Sequence, residues 1–229
     1  VGSSVAMHEG VIVAGGPYWS GHPFNAIAAD GEHQTTSGAA IVWVAVNGAG
    51  NGGAHWDVVS VLTGVGGHWG TTAGASQNAA LGTDVDIFKN TIVVGAPSGK
   101  YDGVIQGAAL VYTGYNPNSV INKPEHWNWA TTLTASDGVG GDRFGSSVSM
   151  PNSSTIIVGS PRQVGVGLAS VYVFTGAGSS WTQTQKITYS GASSSDVYGH
   201  YDNSLAATQK EIFVGGDEGT PENVIRYRI

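Results

Sequence analysis

GDRFGSSVSMPNSSTIIVGSP, residues 141–161, is the stretch on which the reading of the fold turns. It opens with an apolar-Gly pair, Phe144-Gly145, and continues through SSVSM, where alternate residues are apolar as in a half-buried strand. PNSS has the residues of a tight turn. TIIV is a short continuous Val/Ile run, the pattern of a strand buried on both faces, and it ends in Gly159-Ser160-Pro161.

The same arrangement recurs. VIVAGGP at 11–17, TIVVGAP at 91–97 and EIFVGGD at 211–217 repeat the apolar run and its glycine, and Val1-Gly2, Leu81-Gly82 and Tyr198-Gly199 repeat the upstream pair. The glycine-to-glycine offset is 13 (Gly2 to Gly15), 13 (Gly82 to Gly95), 14 (Gly145 to Gly159) and 16 (Gly199 to Gly215). A near-constant unit with variable segments between its parts is how a structural repeat behaves, with insertions confined to loops. A third strand-like segment follows at 39–46, 108–114, 169–176 and 223–229, and a fourth, opening near a Trp, at 55–63, 126–134 and 180–188. Four hairpin-linked strands per repeat is the organisation of a propeller blade. The approximate repeats are 1–80, 81–143, 144–197 and 198–229 within one domain, and the last lacks a fourth strand.

Phe144-Gly145 followed by Val158-Gly159-Ser160-Pro161, with LTASDGVGGDRFG upstream, resembles an FG-GAP repeat. The resemblance implies an all-β chain, a β-propeller of FG-GAP-type four-stranded blades related to the head of integrin α chains. It implies an extracellular or cell-surface location and a non-enzymatic role in adhesion or structure, with carbohydrate binding, as in lectin-like propellers, the alternative. The incomplete last blade fits a four-bladed ring closed irregularly, a fragment of a longer propeller, or a blade completed by another polypeptide; in the last case it offers a strand edge whose N–H and C=O groups a partner strand, including one from a second copy, can satisfy.

Composition narrows the partners. The chain has 229 residues, 36 of them Gly, no Cys, 41% hydrophobic residues and a net charge of −7. The glycines suit many tight turns, and the apolar fraction suits a packed core. Nine Lys and Arg without a cluster argue against nucleic acid. No apolar run reaches the roughly 18 residues that span a bilayer, so membrane insertion is not expected. Without Cys there is no disulfide, thiolate metal site or Cys nucleophile.

Calcium is the cofactor that the resemblance raises, through an Asp-rich loop between the first two strands of a blade. The loops here are MHEGV at 7–11, FKNT at 88–91, MPNSST at 150–155 and TQKE at 208–211. None holds the several carboxylates that six to eight oxygen ligands require, so no cofactor is expected. Asp84 and Asp86 share a strand face, Asp137 and Asp142 flank GVGG, and all four read as acceptors of backbone N–H groups. The His-Trp pairs at 55–56, 68–69 and 126–127 read as structural, because Ser180-Trp181 keeps the aromatic without the His. GVGGDRFG lacks the Lys and the helix of a phosphate loop, and no Gly-x-Ser-x-Gly elbow occurs. The ligand-binding candidates are Tyr18, Trp19, His22 and Asn25 in PYWSGHPFN, and Tyr101 and Asp102 in KYDG: flat rings for a sugar face beside groups for its hydroxyls.

Overall fold

The computed structural model describes residues 2–18, 38–46, 55–64, 79–101, 103–114, 127–161, 170–188, 205–215 and 224–228. They form fifteen strands in four sheets, and no helix is present among them. The first sheet is β1 (Val5–His8), β2 (Val11–Gly16), β3 (Ala39–Val46) and β4 (His55–Leu62). The second is β5 (Val85–Phe88), β6 (Thr91–Ala96), β7 (Ala108–Thr113) and β8 (Asn128–Leu133). The third is β9 (Ser147–Asn152), β10 (Thr155–Ser160), β11 (Ser170–Ala177) and β12 (Ser180–Thr188). The last has three strands, β13 (Leu205–Ala207), β14 (Glu211–Gly215) and β15 (Val224–Arg228). Each sheet is an antiparallel meander in chain order, one per sequence repeat.

The sheets stack through their faces, with β1 beside β5, β5 beside β9 and β9 beside β13. Among the described residues β13 and β1 do not pack together in this way. Burial follows from the stacking. Val13 and Val42 of the first sheet meet Ile92 and Leu110 of the second. Val93 and Val111, on the second sheet's other face, meet Ile156, Val158 and Tyr172 of the third. Ile157 and Val173 then meet Leu205, Ile212 and Val214 of the last. Alternate residues of β6 and β10 thus enter different cores, which is why the Val/Ile runs are continuous.

In the first three repeats the two glycines hold one another. Gly2, Gly82 and Gly145 donate their N–H to the carbonyls of Gly15, Gly95 and Gly159, at 2.6, 2.9 and 3.0 Å. The same glycines also lock neighbouring sheets. A Cβ on Gly15 would fall on the carbonyl oxygen of Gly82, and one on Gly95 on that of Gly145. Gly145 itself has φ +89°, which L side chains avoid, and its missing Cβ leaves space for the carbonyl of Ala108. Phe144 makes a parallel bridge with Gly107 and donates its N–H to Gln106 O at 2.9 Å, and Leu81 bridges Gly38 in the same way. The apolar-Gly pair therefore sits at the mouth between the second and third strands of the preceding sheet. There the Phe144 ring is fully buried and meets Tyr172 and Phe174 edge-on, with centroids 5.4 and 6.0 Å away.

Gly145→Ala is expected to lower stability by about 3 kcal/mol or more, from strained φ plus backbone overlap. Gly103 has φ +87° with nothing near its missing Cβ, so Gly103→Ala measures the strain alone, about 1 kcal/mol. Chemical denaturation of both variants checks the difference.

Candidate functional site

Charged groups are scarce in this chain, and two of its aspartates, Asp84 and Asp86, lie where the innermost strands β1, β5 and β9 meet. An innermost strand has one neighbour in its own sheet, so half of its backbone groups need partners elsewhere. On β9 the carboxylates of the adjacent blade supply them: Val148 N donates to Asp84 Oδ2 at 2.8 Å and Met150 N to Asp86 Oδ2 at 2.6 Å. Ser4 Oγ, from the first sheet, donates to Asp84 Oδ1 at 2.6 Å, and Val85 N donates to the same oxygen at 2.9 Å. Ile87 N donates to Asp86 Oδ1 at 2.7 Å. TDVDIF puts the two carboxyls two residues apart on one strand face, matching the spacing of the donors across the gap.

Burial raises the Asp84 carboxyl from its ordinary value to about 6, against the lowering effect of bonds from Ser4, Val148 and Val85. Burial raises Asp86 as well, opposed by Met150, Ile87, Ser149 and the charge of His8. His8 stacks on Phe88 with centroids 4.5 Å apart, extending the junction to the hairpin end of the strands. The oxygens of both carboxyls are engaged by donors of the fold, so the cluster fastens three blades together.

A second junction lies on the periphery, built from the sequence between β8 and β9. Asp142 is fully buried, and its Oδ2 accepts Val139 N at 2.8 Å while Ser160 Oγ donates to its backbone carbonyl at 2.9 Å. That fits the expected turn role. Asp137 differs: its Oδ1 accepts the Tyr172 hydroxyl at 3.0 Å, and its Oδ2 pairs with Lys186 Nζ at 2.5 Å. Lys186 foremost holds the Asp137 carboxyl below the usual range, and burial followed by Asp137 raises the Tyr172 hydroxyl. Gln183 adds two bonds to Ser136, at 3.0 and 2.9 Å. GVGGDRFG is thus a brace from the second blade onto β11 and β12.

Of the ligand-binding candidates, Trp19, His22, Asn25 and Asp102 lie outside the described residues. Tyr18 follows β2 and is 84% exposed. Tyr101 occupies the equivalent connection of the next blade, half-buried, in a tight turn where it exchanges backbone bonds with Val104 at 2.8 and 2.9 Å. Both residues therefore lie between a second and a third strand, at the same end of adjacent blades. Of the His-Trp pairs, 68–69 and His126 also lie outside the described residues. Trp127 is buried against Gly114, while His55 is exposed with its Nε2 3.4 Å from Asp57 Oδ1. Among the described residues no three His, Asp or Glu converge as a metal set, and no helix is long and apolar enough to cross a membrane. In the β9–β10 hairpin, Asn152 Oδ1 accepts both the N–H and the hydroxyl of Ser154 at 2.9 Å, closing PNSS on itself.

Residues 127–174 match the family model of the FG-GAP repeat. The chain carries an FG-GAP repeat. The matched segment runs from β8 of one blade through β11 of the next, so the FG-GAP unit straddles a blade boundary with Phe144-Gly145 near its middle. It contains the brace at Asp137 and the glycine lock at Gly145, two of the features that join one blade to the next. No curated protein matches the chain.

The raised Asp84 value sets the sign of a pH effect. Between about pH 4 and 6 the folded chain keeps a proton that the unfolded chain releases. Its stabilisation is complete below the unfolded value and is lost as pH rises through about 6, over a span of about 3 kcal/mol. Asp137, lowered by its Lys, acts oppositely, and its contribution disappears as pH falls through its folded value. Asp84→Asn is expected to flatten the slope between pH 4 and 6.5, measured by denaturant melts across pH.

Proposed function

We propose that this chain is a non-enzymatic interaction module of a surface or extracellular protein, structural or adhesive, that docks a protein strand on its last blade. The observation that carries this is the three-stranded sheet β13–β14–β15: among the described residues no strand pairs with the outer edge of β15, whereas β3, β7 and β11 each pair with a fourth strand. Such an edge is a ready template for strand addition, in which main-chain bonds give affinity and alternate side chains give selectivity. The FG-GAP repeat supports an extracellular, adhesion-type setting, and the net charge of −7 suits a protein partner better than nucleic acid. The buried carboxyls support the reading too, since their bonds serve the joints between blades.

The test uses a strand that already completes a blade in this chain. A peptide of sequence SWTQTQKIT, residues 180–188, is expected to bind and to slow hydrogen exchange in β15. Absence of binding, with β15 amides already protected in the chain alone, would overturn the reading.

Tyr18 favours glycan binding as a second reading, because an exposed aromatic ring suits a sugar face. On a glycan array, Tyr18→Ala is expected to remove any signal that the wild-type chain gives.

A further inference from the structure

The hairpin between the first two strands of the third blade is built differently from its counterparts. His8 pairs with Val11 and Phe88 with Thr91, and the residues between them use the left-handed region: Glu9 at φ +46°, Gly10 at +79° and Lys89 at +53°. Asn152 pairs with Thr155 in the same place, but neither Ser153 nor Ser154 has a positive φ. The register also slips, since Ser149 lies opposite Ile157, so β9 carries one residue more than β10 over this interval. That bulge, at Met150-Pro151, accounts for the glycine offset of 14 (Gly145 to Gly159) where the second repeat has 13 (Gly82 to Gly95).

A side chain closes this turn where left-handed backbone closes the others. Asn152 Oδ1 accepts both the N–H and the hydroxyl of Ser154, each at 2.9 Å. A backbone N–H can only donate, so the amide atom that it meets is the oxygen, and Nδ2 is the atom left over. Among the described residues nothing accepts a hydrogen bond from Nδ2. Asn152 is half-buried and Ser153 and Ser154 are exposed, so a bulky hydrated group on Nδ2 has solvent to extend into. Asn152-Ser153-Ser154 is also Asn-x-Ser with x not Pro, the pattern of an N-glycosylation acceptor. Of the twelve asparagines in the chain, Asn152 alone has Ser or Thr two residues on.

We propose that Asn152 is the attachment site of an N-linked oligosaccharide. The donor class is an oligosaccharide carried on a polyprenyl pyrophosphate. In the transfer Nδ2 gives up one of its two protons to a base of the transferase and forms a bond to the anomeric carbon. The bond from that carbon to the pyrophosphate oxygen breaks, and the lipid pyrophosphate leaves with the electron pair. The inference rests on the extracellular setting proposed above, because this pattern is modified in secreted chains. Its place is the turn end of the third blade, away from Phe144-Gly145 and from the β15 edge, so the glycan keeps that corner in solvent and leaves strand docking open.

The full chain, sent through the secretory pathway of a eukaryotic cell behind a cleavable signal sequence, tests it. Protein from cells and medium is digested and read by mass spectrometry before and after peptide N-glycosidase. The peptide spanning Asn152 is expected to carry oligosaccharide, and the glycosidase to leave Asp in its place. Asn152→Asp and Ser154→Ala should lose the sugar completely, while Ser154→Thr keeps it. Asn152→Asp retains the acceptor oxygen that closes the turn and is the same polypeptide as the stripped wild type, so the two should melt alike. The signal sequence supplies the secretory route, so an unmodified Asn152 counts against the site and not against the location, and strand docking at β15 is measured separately. A wild-type chain without sugar on the Asn152 peptide, or an oligosaccharide that survives Asn152→Asp or Ser154→Ala, would overturn the proposal.

Discussion

Backbone lying directly on backbone is the constraint from which the rest of the architecture follows. Gly15 against Gly82, and Gly95 against Gly145, leave no space for a side chain between adjacent blades. That approach brings the inner strands close enough for β9 amides to reach carboxyls on β5, and it lowers Phe144 into the core between the second and third sheets. It also explains why the motif is a pair: one glycine serves the blade that it begins, and the other serves the blade that follows. Packing of Val and Ile supplies the driving force, but the glycines set the distance at which that packing is good.

Charge is used sparingly and at joints. Asp84 and Asp86 stitch inner strands together, Asp137 and Lys186 tie a connection to an outer strand, and Glu211 with Arg226 terminates the series on the last sheet. The inner junction is buried and responds to protonation. The outer one is half-exposed and subject to screening. Blades are therefore held by two different electrostatic regimes, one at each radius of the stack.

Much of this arrangement was legible in the sequence because the motif is local. The strand starts, the hairpin at PNSS and the doubly buried runs each depend on a few adjacent residues, and the sheets keep the predicted order with the last one strand short. The roles of Asp84, Asp86 and Asp142 as acceptors of backbone N–H were legible as well, although the β9 donors come from the next repeat. Asp137 was read as a turn acceptor and does accept its own backbone N–H, but it also takes a hydroxyl and an ammonium group that were not foreseen, because those partners lie on strands later in the chain. The loop residues chosen for ligand binding carry no periodic signal, and of those described, Tyr18 and Tyr101 occupy equivalent connections on neighbouring blades.

The mouth that receives Leu81-Gly82, like the one that receives Phe144-Gly145, has a direction. Leu81 enters between strands formed by residues 11–16 and 39–46, and Phe144 between strands formed by residues 91–96 and 108–113. In both cases the socket is encoded before the plug. A chain emerging from the ribosome with its N-terminus first therefore presents each new blade with a seat that is already complete, and assembly can advance one blade at a time. A reversed order of repeats with the same contacts would leave every plug waiting in water for a socket not yet made.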